Sequence, residues 1–101
     1  MESEQNMSSS NSEQKYVLDV YDDPVMKVAV DVFERLGAVG KITLKAKGRS
    51  IPNAVAIANI ITEEMMKGIS VIENITVDSE TPKEMGRMLS TIDITIIKKI
   101  Q

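Results

Sequence analysis

The chain of 101 residues has no cysteine, no histidine and no tryptophan, and its aromatics are limited to one phenylalanine and two tyrosines. Without cysteine there is no disulfide and no thiolate-ligated metal. Without histidine the usual general base near neutral pH is missing. No carboxylate stands in a recognisable pair with a nucleophile, so the chain reads as non-enzymatic, and nothing points to a metal, an organic cofactor or a small-molecule substrate. Tyr16, Tyr21 and Phe33 are too few for a platform on which single-strand bases would stack. No apolar run approaches the roughly 18–20 residues that span a bilayer. The N-terminus lacks the apolar core of a signal peptide. A soluble protein with no membrane partner is expected.

What is present is charge of both signs, unevenly placed. The formal net charge is −3, from 15 acidic and 12 basic residues. Glu2, Glu4 and Glu13 fall within residues 1–14, which hold no Lys or Arg, so residues 15–101 are neutral overall. The first 14 residues are rich in Ser, Asn, Gln and Glu and bury too little apolar surface to offset ordering entropy. They read as a disordered tail, leaving residues 15–101 as one small domain whose core is marginal enough for oligomerisation to help.

Hydrophobic periodicity gives the order βαβαββ. Residues 15–21 alternate as a strand, with Tyr16, Leu18 and Val20 on one face. Asp23-Pro24 predicts a helix start, with Asp as N-cap and Pro at the first helical position. Val25, Val28, Ala29, Val32, Phe33 and Leu36 then form one helical stripe, and Gly37 and Gly40 flank its end. Ile42, Leu44 and Ala46 alternate against Lys41, Thr43, Lys45 and Lys47 as a second strand. A second helix is expected over 50–66, with Ser50 as N-cap and Pro52 in the first turn. It is apolar around most of its circumference, so one side should face the sheet and the other a subunit interface. Residues 69–77 read as a third strand with Ile75 and Val77 inward. Residues 91–100 read as a fourth, and residues 78–88 between them as an arm or loop.

The segment Lys45-Ala46-Lys47-Gly48-Arg49-Ser50-Ile51-Pro52-Asn53-Ala54-Val55 places three cations at a strand-to-helix junction. Cations fixed there, beside free helix N–H groups, suit a phosphate-rich partner. Alternate side chains on one strand face lie roughly 6–7 Å apart, a separation that resembles that of successive phosphates. The same lysines would also serve simply to solubilise the outer face of a sheet.

Together with the βαβαββ order, that segment resembles the Alba family of archaeal chromatin proteins. Pro24-Val25-Met26 at the first helix matches too, as does Leu89-Ser90-Thr91-Ile92-Asp93-Ile94 ahead of Lys98-Lys99. The likeness covers roughly residues 15–99. It implies a two-layer α/β fold similar to the C-terminal domain of translation initiation factor three. It further implies a homodimer that binds double-stranded DNA, and often RNA, without catalysis, in the cytoplasm on the chromosome as a nucleoid protein. The positions matching the family's phosphate contacts are Lys45, Lys47 and Arg49. Those on its arm are Lys83 and Arg87, with Gly86 as the flexible point.

Two departures accompany the resemblance. Met88 stands where the family has a further arginine. Asp22 and Asp23 stand where the family typically has two lysines ahead of Pro-Val-Met, which removes the acetylation switch of that loop and predicts reduced affinity. Each lost phosphate contact should flatten the log–log salt dependence by about 0.9. Lys27, one turn into the helix, partly compensates. Met65 matches a bulky residue that supports association of dimers side by side. Two rival readings are an RNA-binding protein like a ribonuclease P subunit and a dimeric protein-interaction module that has lost nucleic-acid binding.

Overall fold

The computed structural model describes residues 16–81 and 86–99. The tail read over 1–14 and the candidate Lys83 lie outside the described residues. Strand β1 (Tyr16–Asp19) leads to helix α1 (Val25–Val39), then to strand β2 (Lys41–Lys47) and a 3₁₀ turn (Gly48–Ser50). Helix α2 (Ile51–Ile60) continues into a π turn (Ile61–Met65), followed by strands β3 (Ser70–Glu80) and β4 (Leu89–Lys98). The expected βαβαββ order is therefore observed.

The four strands form one sheet in the order β1-β2-β4-β3. β1 runs parallel to β2, and β4 is antiparallel to both its neighbours. The last strand thus lies inside the sheet, where Ile42, Leu44 and Ala46 of β2 stand opposite Ile96, Ile94 and Ile92. Those six side chains are buried together with Ala29, Val32 and Leu36 of α1 and Ala54, Ile57, Ala58 and Ile61 of the second helical segment. The helices cover this one face. The other face, carrying Lys41, Lys45, Lys47, Asp93 and Asp19, stays open. Among the described residues, no helix is long and apolar enough to cross a membrane.

Local chemistry sets the boundaries. Helix α1 begins at Val25, one residue later than expected, because Pro24 is extended (φ −57°, ψ 129°) and flanks the helix itself. No side chain caps this end, so Asp23 is not the N-cap that the Asp-Pro pair suggested. Gly37 lies within α1. Gly40 alone ends it, at φ 86°, with its N–H donating to the Leu36 carbonyl at 2.9 Å, as a left-handed cap requires. β4 locks onto this corner, since the Lys98 N–H donates to the Gly40 carbonyl at 2.9 Å and Lys98 Nζ to the Gly37 carbonyl at 2.7 Å. Arg35 lies 4.7 Å from the centre of the Tyr16 ring and ties α1 to the edge strand β1.

Three burial expectations change. Phe33 is 41% exposed, because only the Ala29–Val32–Leu36 side of α1 meets the sheet. Thr43, expected outside with the lysines, is buried and shares a hydrogen bond of 2.9 Å with the hydroxyl of Thr95 across β2 and β4. Ile75 and Val77 pair with Ile94 and Ile92 and so share their face. They nevertheless stand 51% and 69% exposed, beyond the reach of the helices. A register shift between Ile72 and Asn74 separates this outer half of β3 from its inner half. The residues read as a loop from 78 onward are strand as far as Glu80, so β3 and β4 form a long hairpin.

The second helix also differs from a plain α-helix. The Thr62 hydroxyl donates to the Ala58 carbonyl at 2.9 Å, and the Met66 N–H reaches back to Ile61 at 2.8 Å. Such back-bonding competes with the backbone ladder, which here widens into the π turn. Met66 is thereby buried, while Met65 is only partly so. Val55, at 39% exposed, remains on the uncovered side of α2.

The two sides of α1 should respond differently to truncation. Leu36→Ala is expected to lower unfolding free energy by about 2–5 kcal/mol, the usual loss for a buried leucine. Phe33→Ala should lower it by less than about 1.5 kcal/mol, since much of that ring is already in water. Urea denaturation of both variants measures the difference.

Candidate functional site

The junction from β2 to α2 is built by one glycine. Lys47 ends the strand in an extended conformation (φ −131°, ψ 145°), and Gly48 then takes φ 53° to open the 3₁₀ turn. A Cβ on Gly48 would sit 3.0 Å from Cδ1 of Leu89, the first residue of β4. The positive φ favours glycine here, and a side chain would in addition press on Leu89. Ser50 precedes α2 in a helical conformation (φ −83°, ψ −9°) and makes no side-chain cap, contrary to its expected role. Pro52 falls in the first turn, as expected.

Two shallow concavities meet at this junction. One, of about 540 Å³, lies on the open face of the sheet and includes Lys45, Lys47, Asp19, Asp78, Glu80 and Asp93 in its lining. The other, of about 890 Å³, is lined by Lys47, Gly48 and Arg49 on one side and by Arg87, Met88 and Leu89 on the other. Four of the six candidate cations are thus brought together, with Lys47 shared by both concavities. Lys27 is exposed on α1 and lines neither. Met88, at the position of the missing family arginine, is 71% exposed at the mouth of the second concavity.

The loop before α1 is held against the same junction. The Val20 N–H donates to the Lys45 carbonyl at 2.8 Å, and Asn53 Nδ2 donates to the Tyr21 carbonyl at 2.9 Å. These two bonds carry Asp22 to the platform, where its Oδ2 lies 3.7 Å from Nη2 of Arg49.

Each platform cation faces a carboxylate of its own chain. Lys45 Nζ donates to Asp93 Oδ2 at 3.0 Å, directly opposite on β4. Lys47 Nζ donates to Glu80 Oε1 at 3.2 Å, reaching β3 past β4. At the far end of the strand, Lys41 Nζ lies 3.3 Å from Glu73 Oε1. All of these groups are at least a third exposed, so each pair contributes only about 0–1 kcal/mol to stability. What the pairs change is the field at the surface. Sequence reasoning found the cations and Asp22 but missed Asp93 and Glu80 as their partners. Asp93 was visible as the polar member of an alternating strand, yet its partner depends on the pairing register.

Comparison with known proteins agrees with this architecture. A family model described as Alba matches residues 14–79. Alba from Thermoplasma volcanium superposes with a TM-score of 0.73 at 29% identity, covering 81% of this chain and 99% of that one. ALBA1 from Trypanosoma brucei superposes with a TM-score of 0.65 at 14% identity, covering 88% of this chain and 72% of that one, a likeness of fold.

Two glycine substitutions should act in opposite directions. Gly48→Ala is expected to destabilise by about 1–3 kcal/mol, from strain at positive φ and contact with Leu89. Gly37→Ala, inside α1 with nothing within 4 Å of the added Cβ, should stabilise by about 0.4–1 kcal/mol. Thermal denaturation monitored by circular dichroism distinguishes a fall in Tm for the first from a rise for the second.

Proposed function

This chain belongs to the Alba family of nucleic-acid-binding proteins, and from that premise we propose that it is a non-enzymatic protein of the chromosome that binds double-stranded DNA as a homodimer. The observation that carries the reading is the convergence of Lys47, Arg49 and Arg87 on one concavity, beside Lys45 on the next. A shallow, open concavity lined by Lys47, Arg49 and Arg87 suits a backbone contacted through its phosphates, which positions the duplex without reading its sequence. Lys83, outside the described residues, is proposed as a further phosphate contact on the strength of the family resemblance alone. Lys27 is assigned a peripheral contact with the flanking backbone.

Dimerisation is supported by the outer half of the hairpin. Ile75 and Val77 present apolar side chains on the helix-side face, where none of the described residues covers them. Val55 adds to the exposed apolar surface. A second copy covering that face would bury surface that a domain of this size needs and would display the cationic junction twice. Affinity is reduced relative to a fully cationic platform, because Asp22 and Asp23 occupy the loop before α1 and Asp22 sits against Arg49.

Lys47→Ala and Arg49→Ala should each weaken duplex binding and lower the magnitude of the log–log salt slope by about 0.9 per phosphate contact removed. Retained affinity and slope in both variants would leave a protein-interaction module as the better description. A competition titration with structured RNA assigns the preferred ligand, RNA winning if the ribonuclease P-like reading is right. Separately, Val77→Asp should convert the dimer to monomer in analytical ultracentrifugation while leaving the circular dichroism spectrum intact.

A further inference from the structure

On the premise that Lys45 and Lys47 bind phosphate, as proposed above, we infer that Asp93 and Glu80 are affinity-setting residues, an internal counterion pair that a nucleic-acid backbone must displace. The geometry is specific. Asp93 faces Lys45 across neighbouring strands at 3.0 Å, and Glu80 meets Lys47 at 3.2 Å from the far strand of the hairpin. Both lysines and both carboxylates are partly exposed, at 46% and 39% for the first pair and 62% and 48% for the second. Solvent and ligand therefore reach the amines, and the contacts are weak enough to exchange.

Any phosphate that touches either amine comes within a Debye length of the carboxylate already there, about 8 Å at physiological ionic strength. It must take the place of that carboxylate or bind beside it. Either way the site loses attraction, by roughly fivefold in affinity for each unit charge at about 4 Å in water. Backbone geometry prevents simple relief. Asp93 is fixed opposite Lys45 by the β2–β4 register, and that register is fixed by buried isoleucines on the other face. The carboxylates thus remain at the site whenever the sheet is formed.

The ionic consequence is as informative as the affinity. When a lysine neutralises a phosphate, a cation condensed on the nucleic acid is released. When the same lysine first leaves a carboxylate, that carboxylate regains a diffuse cation atmosphere from solution, which offsets part of the release. Binding through Lys45 and Lys47 should therefore show less salt dependence than its number of phosphate contacts implies.

The test is a salt-titrated fluorescence anisotropy measurement with a random-sequence duplex, using the full chain and the variants Asp93→Asn, Glu80→Gln and the two combined. The amides keep size and hydrogen bonding, and exposed positions leave the fold in place, which thermal melting verifies. The expected result is binding about tenfold or more tighter in the double variant at low salt, with a slope steeper by up to about 0.9 for each lysine released. Glu63→Gln, on the helix side of the molecule, alters net charge as much as either single variant and should change neither quantity appreciably. Unchanged affinity and slope in the double variant, with Lys47→Ala still weakening binding, would overturn the role of Asp93 and Glu80 and leave the binding reading standing. An equal gain from Glu63→Gln would reduce the effect to net charge and overturn it too. Binding indifferent to Lys47→Ala and Arg49→Ala removes the premise itself.

Discussion

The pairing of β4 with β2 is the constraint on which the remaining structure depends. Ile92, Ile94 and Ile96 lie opposite Ala46, Leu44 and Ile42, all on the face that the helices cover. Side chains alternate across a strand, so a slip of one residue would turn three isoleucines to water and Asp93 and Thr95 to the core. Each buried isoleucine contributes about 1.5–3 kcal/mol relative to exposure, which makes the register far stronger than any surface contact. The polar face inherits its arrangement from that choice. The Thr43–Thr95 hydrogen bond and the Lys45–Asp93 ion pair both follow from it.

The open face is electrically mixed rather than basic. Lys41, Lys45, Lys47 and Arg49 stand among Asp19, Asp22, Glu73, Asp78, Glu80 and Asp93, so carboxylates outnumber cations there. Such pairs add little to stability, and their significance lies in how the surface meets another polyelectrolyte. Three cations gather where β2 ends and Leu89 closes over Gly48, because Arg87 joins Lys47 and Arg49 there. Under the proposed function, placement more than the number of cations would decide where a duplex settles.

Much of this was legible from the chain itself. Strict alternation in β2 and β4, an apolar stripe in α1 and the Lys-Gly-Arg junction gave the element order, the sheet faces and four of the converging cations. Errors came where a residue's state depends on distant parts. Asp23 and Ser50 have good capping chemistry, but Pro24 is extended and Ser50 closes a 3₁₀ turn, so neither side chain caps its helix. Ile75 and Val77 alternate as core residues do, and they do share the core face. Their exposure arises because the helices end short of the outer hairpin, which no local pattern records. The partners of Lys45 and Lys47 were hidden for a related reason, being separated from them by 48 and 33 positions.

The position of β4 also bears on how the molecule assembles. β2 and β3 are never neighbours, and the strand that joins them leaves the ribosome after both. Until residues 89–98 are available, β2 has one free edge and β3 has no partner at all. Of the sheet, only the β1–β2 pair can form early. The remaining sheet must close by contacts that are distant in sequence, a topology associated with slower folding and with transiently exposed strand edges that invite mispairing between chains. A face of mixed charge on the waiting strands, dense in Lys, Asp and Glu, is well suited to keep those edges apart during the delay.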